Sequence, residues 1–484
     1  MNLLQKNLFT SDTPENNYEL YLGFTTCALL ASLLFFFPSY WTMMVVLLPI
    51  IGAAVLWFGY DYFPYTLFLL LAFSVEVEVT SDTRVTLPTE VLIPLFLLLL
   101  IGEALVKGKM RYRPSSLNGV VCLFFLMATL SLIYSEEPLS TAKALIRDTG
   151  YVFAGFFLVP RFIHSDRRIR QLLIGCLIVH ILLILYGFGT QVVGGLRIYS
   201  DIAAPFFIEH CIYAAYITFS FAFLLAFFMD MKSGTKRTIL GFITLLFVVA
   251  IALTFVRAAW ICVCFVTLFY LIQFRKRDSV IDLVLLLMLG IMFCGAVIIT
   301  TEVGEMITER LETVTDLKYV ANFDRIDRWQ AAWEMWKDHK ILGVGYGAYG
   351  DVYFDYTSKL AFSSDMRMGA HNLYLEIMAE LGLIGLFIYL LMMLLFFVKS
   401  QRLKKRVQSR TQWVFIIAMQ GAMLTYLLHA FLNNLGPSDK IGITFWFFMG
   451  MIPTLEAMNP VGVTQSEAVE TMQPQNLSLQ ADQT

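Results

Sequence analysis

Five residues in this sequence sit where their chemistry could matter, and four of them are arginines. The fifth is His371, one of six histidines, in the run Gly369-Ala370-His371-Asn372-Leu373-Tyr374-Leu375-Glu376, where a hydrophilic stretch passes into an apolar one. An imidazole is half-protonated near neutral pH, which suits general-base work on a hydroxyl; the alternative is a hydrogen-bonding anchor at an interface. Arg257 lies inside the apolar stretch Thr254-Phe255-Val256-Arg257-Ala258-Ala259-Trp260. A charge there costs at least ~2.5 kcal/mol by insertion scales, so it calls for a partner or a function. Arg325 stands one turn before Trp329, and Arg197 four residues before Asp201. Guanidinium keeps its charge and grips phosphate oxygens in pairs, so Arg197, Arg257 and Arg325 together could bind a pyrophosphate. Arg328, one turn from Arg325, could share or take its role. The plainer alternative for such arginines is snorkelling to lipid headgroups.

The elements that must position these residues are helices of a membrane protein. Of 484 residues 58% are hydrophobic, 42 are Phe and only 15% are charged, where a soluble domain carries roughly 25% charged residues. Apolar runs near 20 residues match the roughly 30 Å hydrocarbon core, and their period is helical rather than the alternation of an outer-membrane barrel. The net charge of −2 gives no electrostatic case for nucleic acid. The polar opening, Met1 to Asn17, predicts no cleavable signal peptide.

We read about 14 apolar segments, near 20–37, 41–59, 63–76, 89–106, 117–134, 142–160, 171–190, 207–229, 238–256, 258–274, 280–300, 375–398, 413–432 and 441–456. The two short segments either side of Arg257 could instead form a re-entrant hairpin. Basic clusters (Lys107 to Arg113, Arg161 to Arg170, Lys232 to Arg237, Arg275 to Arg277, Lys399 to Arg410) each follow an even-numbered segment, so one orientation puts them all in the cytoplasm, with both termini. Two loops then face outward, about Gly194 to Pro205 and, much longer, Thr301 to Tyr374. The expected architecture is an all-α polytopic transmembrane bundle of about 12–14 spans with one long structured periplasmic loop. The tail from Asn459 to Thr484, rich in Gln, Ser and Thr, reads as disordered.

In the long loop a helix is expected over Asp324 to Asp338, where Trp329, Ala332, Trp333 and Trp336 make one apolar face suited to headgroup depth. Gly345 to Gly350 spells GxGxxG, but no strand precedes it and no βαβ unit surrounds it, so the glycines read as a tight turn or close backbone approach and not a nucleotide site. His339, between Asp338 and Lys340, reads as solvated surface. The seven cysteines, Cys27, Cys122, Cys176, Cys211, Cys262, Cys264 and Cys294, lie in or beside apolar runs without ligand spacing, and neither a structural metal, a cofactor nor a disulfide framework is expected.

These pieces resemble the O-antigen ligase and O-antigen polymerase family of bacterial membrane glycosyltransferases, most clearly over about 190 to 400. The resemblance rests on Arg257 in a Thr-x-x-Arg-Ala-x-Trp stretch, on Arg325-Ile-x-x-Trp329-x-x-Ala332, on Gly343-x-Gly345-x-Gly347, on His371-Asn372-x-Tyr374-Leu375 and on Glu380-Leu-Gly382-Leu-Ile384-Gly385. The usual Ser-Arg-Gly-Ala reads Val256-Arg257-Ala258-Ala259 here, and the family has about 12 spans. The resemblance implies a glycan donor carried on undecaprenyl pyrophosphate at the outer face of the inner membrane. It implies an acceptor hydroxyl on lipid A core (ligase) or on another lipid-linked glycan (polymerase). His371 would take the hydroxyl proton, and Arg257, Arg325 and Arg197, with Arg328 in reserve, would hold the departing pyrophosphate.

On this reading residues 1–190 are N-terminal membrane helices, 191–400 the ligase/polymerase-like core with its periplasmic loop 301–374, 401–456 the C-terminal helices and 457–484 a cytoplasmic tail. The other partners are membrane lipids. A metal-dependent lipid-linked glycosyltransferase would want carboxylates in the first outer loop, and Phe37 to Trp41 has none. A transporter or flippase would want charge at the midplane and paired broken helices. His180 is the one mid-membrane candidate, while Glu76, Glu78 and Asp82 fall in an outer loop. A non-catalytic membrane scaffold is the blandest reading.

Overall fold

The computed structural model describes residues 63–80, 83–90, 92–94, 97, 101, 105, 115–193, 202–232, 234–274, 320–357, 369–436 and 438–460. The expected segments at 20–37, 41–59 and 280–300, most of 89–106, the loop stretch 301–319, Arg197, Asp201 and the tail beyond 460 lie outside the described residues.

Helix α1 (Phe63–Ala72) is shorter than the segment expected to 76, because Val-Glu-Val-Glu-Val-Thr alternates with period two and forms strand β1 (Val75–Thr80). It pairs antiparallel with β2 (Thr83–Leu87), Val77 opposite Val85. Next comes α2 (Ser116–Leu130), whose N-cap Ser115 accepts from the Leu117 amide. A proline at the first helical turn starts α3 (Pro138–Val152), which runs through a π-helical stretch, Phe153–Leu158, into α4 (Val159–Phe162).

The long helices follow: α5 (Asp166–Val193), α6 (His210–Asp230), α7 (Thr235–Ala252) and α8 (Arg257–Phe274), then α9 (Val320–Asp338) and α10 (Tyr349–Tyr356), then α11 (Leu373–Arg406), α12 (Arg410–His429) and α13 (Asp439–Met458). Among the described residues seven helices, α5 to α8 and α11 to α13, are long and apolar enough to cross a membrane. The architecture is an all-α polytopic bundle with one small hairpin. The segments around Arg257 are two full helices of 18 residues each and not a re-entrant hairpin.

Polar contacts collect at the two ends of the bundle. At one end Asp166 meets Ser409 and Gln412, Arg410 meets Asp230, Lys399 meets Glu456 at 2.6 Å and Arg170 meets Thr411 at 3.1 Å. Arg170, Lys399 and Arg410 belong to two of the five basic clusters that the sequence assigned to one side; Lys107 to Arg113 and Arg275 to Arg277 lie outside the described residues. Between the ends, close backbone approach holds the helices together. A Cβ on Gly155 would strike the Ile443 carbonyl, and one on Gly450 the Phe156 carbonyl, so the π-helical stretch and α13 meet backbone to backbone.

The feature that builds the opposite end is a break in α11. Gly382 takes φ 63 and ψ −165 inside an otherwise continuous run of 34 residues, which frees backbone groups that an apolar setting cannot solvate. The loop satisfies them. The Val344 amide donates to the Ala379 carbonyl and the Gly345 amide to the Glu380 carbonyl, each at 3.0 Å, while the Leu383 amide donates to the Lys340 carbonyl at 3.0 Å. The approach demands glycine on both sides. Gly343 has φ 76 and a Cβ there would strike the Glu380 carbonyl; a Cβ on Gly382 would strike the Ile341 carbonyl. The glycine run is thus a turn clasped to a helix break.

Gly343→Ala and Gly382→Ala should therefore each lower the melting temperature of the detergent-solubilised protein, since a left-handed non-glycine residue alone costs about 1–3 kcal/mol. Gly119→Ala in α2, where a new Cβ meets nothing within 4 Å, should be neutral or stabilising by up to about 1 kcal/mol. Equal melting temperatures for all three variants would contradict the clasp.

Candidate functional site

Helix α9 is seated on α11 by its small residues. Ala331, Ala332 and Met335 are buried against Ala379, Val344, Tyr349, Val352 and Tyr353. Of the tryptophan stripe only Ala332 is buried, and Trp333 is 43% exposed. Alanines win the contact because they let the helix axis come close, and the indoles are left at the rim. Polar bonds fix the rotation of α9. Buried Asp327 accepts from the Tyr353 hydroxyl at 2.7 Å and the Thr357 hydroxyl at 2.5 Å, and the Tyr349 hydroxyl donates to the Arg328 carbonyl at 2.8 Å.

With α9 so fixed, its two arginines take different positions. Arg328 is buried at 1% exposure. It pairs with Asp324 at 2.8 Å and donates to the Gly369 carbonyl at 3.2 Å, so it ties α9 to the connector that carries His371. Arg325 is half-buried, and among the described residues it has no carboxylate at ion-pair distance. Arg257 is the first residue of α8, also half-buried, just beyond a kink where Phe255 has φ 55.

The connector is held from the other side by Glu376. Its carboxylate accepts from the Ala370 amide at 2.8 Å and from the Asn434 side chain at 2.9 Å. Asn372 caps α11, accepting from the Tyr374 and Leu375 amides, and the Leu373 amide donates to the Ala430 carbonyl at 2.9 Å. Between these anchors His371 takes φ 50, a left-handed conformation uncommon for a residue with a side chain. Its Nδ1 is buried without a hydrogen-bond partner among the described residues.

Electrostatics link these groups. Burial, then the charges of Arg328 and Arg325, push the His371 pKa down to about 4, with Asp324 opposing. The Arg325 pKa is lowered by burial and, beyond that, by the neighbouring positive charges of Arg257 and Arg328. Arg257, Arg325, Arg328 and His371 thus share one electrostatic neighbourhood, with Glu209 at the start of α6 close enough to feel Arg328. The half-protonated imidazole expected from an ordinary pKa is not what this setting holds. His371 is neutral at pH 7, a proton acceptor beside fixed positive charge. Such an array can bind a di-anion and take a proton next to it.

Other expected features land differently. His339 is not free surface: its Nε2 meets Glu136 at 2.8 Å, pinning the loop to the α2–α3 turn. His180 is turned onto its own helix, with Nδ1 on the Cys176 carbonyl at 2.5 Å and its ring 4.6 Å from that of Tyr216. Sequence reasoning missed Asp324, Glu376 and Asn434 as site residues. Glu376 and Glu380 carried a usable signal, two carboxylates one helical turn apart at the start of an apolar span, where charge is costly.

A family described as O-antigen ligase matches residues 242–390. The match places this stretch in the O-antigen ligase/polymerase family, as its motifs indicated, and it contains Arg257, Arg325, Arg328 and His371. No curated protein matches the chain.

The two α9 arginines should respond oppositely to removal. Arg328→Ala leaves Asp324 and the Gly369 carbonyl without their partner and should cost about 3 kcal/mol of stability, read as a loss of melting temperature. Arg325→Ala should change stability by less than about 1 kcal/mol while weakening pyrophosphate binding measured by calorimetry. A reversed pattern would contradict the assignment.

Proposed function

We propose that this O-antigen ligase-type chain is a membrane glycosyltransferase of surface polysaccharide assembly. It moves a glycan from undecaprenyl pyrophosphate to an acceptor sugar hydroxyl, on lipid A core or on another lipid-linked glycan, at the periplasmic face of the bacterial inner membrane. The observation that carries the reading is a neutral, half-buried histidine, its Nδ1 shielded from solvent, set among arginines within the family-matched stretch. Residues 191–400 are the transferase core in this account, and the flanking helices hold it in the membrane.

The chemistry follows from the charges. The acceptor oxygen attacks the anomeric carbon as its proton passes to a ring nitrogen of His371. The bond from that carbon to the phosphate oxygen breaks, and undecaprenyl pyrophosphate departs with the bonding pair. Arg325 and Arg257 meet the developing negative charge, and Arg328 adds its field from behind. Donors already in place do this without reorganisation at the moment of reaction. Because burial and the nearby guanidinium groups depress its pKa, His371 is unprotonated before substrate arrives. The bound pyrophosphate offsets their charge and raises the basicity of the imidazole when it is needed. Arg197 stands in this proposal as a further pyrophosphate ligand.

A deletion strain complemented with His371→Ala, at equal protein level, should fail to restore long surface glycan. In purified protein the same change should cut turnover by about 10²–10⁴-fold with donor affinity nearly unchanged. Long glycan at wild-type levels would contradict the role. The pH profile gives a second test. His371 must be neutral to accept a proton, and its lowered pKa keeps it so as pH falls past 6.5, so the acid limb of kcat/KM should lie near pH 4. Arg325→Gln removes one of the charges that lower that pKa, so the limb should move to higher pH. An unmoved limb would mean that Arg325 does not act on the histidine.

A further inference from the structure

A cavity of about 670 Å³ lies next to the histidine–arginine cluster but outside it, between α3, the glycine turn, α11 and α13. Its size falls within the ~300–1,000 Å³ of small-molecule sites. Gly369 and Leu373, which flank His371 in the chain, form part of its wall. It lacks the positive excess of the arginine cluster: five acidic side chains, Glu376 and Glu380 among them, line it with two cations, Lys143 and Arg147, and Arg147 is paired with Asp148. A diphosphate is better held on the other side of the wall. An acyl or prenyl chain would leave the charged groups desolvated and unpaired.

The fitting ligand is uncharged and rich in hydroxyl donors. Carboxylates accept from hydroxyl groups, and part of the polar lining is already fixed in place. Arg147 forks onto Asp148 at 2.8 and 3.0 Å, and the Tyr346 hydroxyl donates to Asp148 at 2.6 Å. Deeper in, the Tyr389 hydroxyl also lines the cavity. That residue is only 3% exposed, and its hydroxyl stands beside that of Tyr426, which lines the cavity too. A pair of hydroxyls can donate and accept towards a ligand. The rings of Tyr151 and Trp446 add apolar faces, which suit the C–H faces of a sugar.

We propose that this cavity is a saccharide site, holding sugar units of the glycan while the pyrophosphate lies among the arginines across the Gly369–Leu373 wall. The assignment rests on the transferase reading, and its test is chosen to fail separately from it. Gly150 of α3 lines the cavity, and a Cβ there touches only the Ile93 side chain, at 3.5 Å. Gly150→Leu therefore fills the cavity without backbone strain, and Gly150→Ala is its control. Tyr389→Phe removes one hydroxyl of the Tyr389–Tyr426 pair and leaves the shape.

The full-length protein in lipid nanodiscs is titrated with the oligosaccharide repeat released by mild acid from the producing strain's own surface glycan. Wild type, Gly150→Ala and His371→Ala should bind it with similar affinity. Gly150→Leu and Tyr389→Phe should bind about tenfold more weakly, with melting temperatures unchanged or, for Tyr389→Phe, raised. KM values of Gly150→Leu identify the source of the sugar: a raised acceptor KM assigns the site to the acceptor glycan, a raised donor KM to the donor glycan. No saturable binding by wild type, or wild-type affinity in both cavity variants, would overturn the site. Absence of transfer by wild type would overturn the transferase reading, and full transfer by His371→Ala would overturn the role of that histidine as base, each leaving the binding result standing.

Discussion

The site depends on an interruption in a membrane helix. Where α11 breaks at Gly382, backbone carbonyls and amides come free in a setting without water to receive them, and the loop from Lys340 to Gly345 takes them up with three bonds of 3.0 Å. An unsatisfied pair at that depth would cost several kcal/mol, so the clasp cannot be given up lightly. It sets where α9 lies, because α9 leads through Asp338 directly into the clasped segment. The position of α9 in turn sets where Arg325 and Arg328 stand. Helix α11 itself, nearly two turns before the break, carries Glu376, which holds the Ala370 amide and with it the strained backbone of His371. One break in one helix thus fixes the proposed base and two of its arginines relative to each other.

A second consequence is the sorting of charge. Arg257, Arg325 and Arg328 share the electrostatic surroundings of His371, and the cavity beyond the connector, lined by acidic and basic side chains together, lacks that positive excess. A lipid-linked glycan has the same polarity, a di-anionic diphosphate joined at the anomeric carbon to uncharged, hydroxyl-rich sugar. In the proposed mechanism the bond between those two parts is the one that breaks, and the histidine stands at the boundary.

Much of this could be seen in the sequence because it is written in residue types. Hydropathy period located each of the seven long described helices, and the alternation of basic clusters matched one polar end of the bundle. Arg257, Arg325, Arg328 and His371 were visible as charges beside apolar runs. The helix of the long loop was expected over Asp324 to Asp338 and lies within Val320–Asp338. What the sequence hid were choices made by packing. Tryptophan dominates any reading of hydrophobic periodicity, yet α9 docks through Ala331 and Ala332, since close approach favours small side chains. Nor could the sequence distinguish Arg325 from Arg328, because which one meets Asp324 and Gly369 depends on the rotation of α9. The break at Gly382 looked like one glycine among several in an apolar run, and its partner turn lies about 40 residues away in the chain. The strand pair at Val75–Leu87 was passed over because its alternating Val-Glu pattern follows directly on an apolar helix.

The most direct test of the central claim, that folding places a neutral histidine in a desolvated, positively charged setting, is an NMR titration of histidine-labelled protein, with the His371 resonance identified by its loss in His371→Gln. The account predicts that His371 stays neutral through pH 6.5 and takes up its proton only near pH 4. Protonation at the ordinary value near 6.5 would mean that the imidazole is solvated and away from the arginines, and the proposed site would not stand.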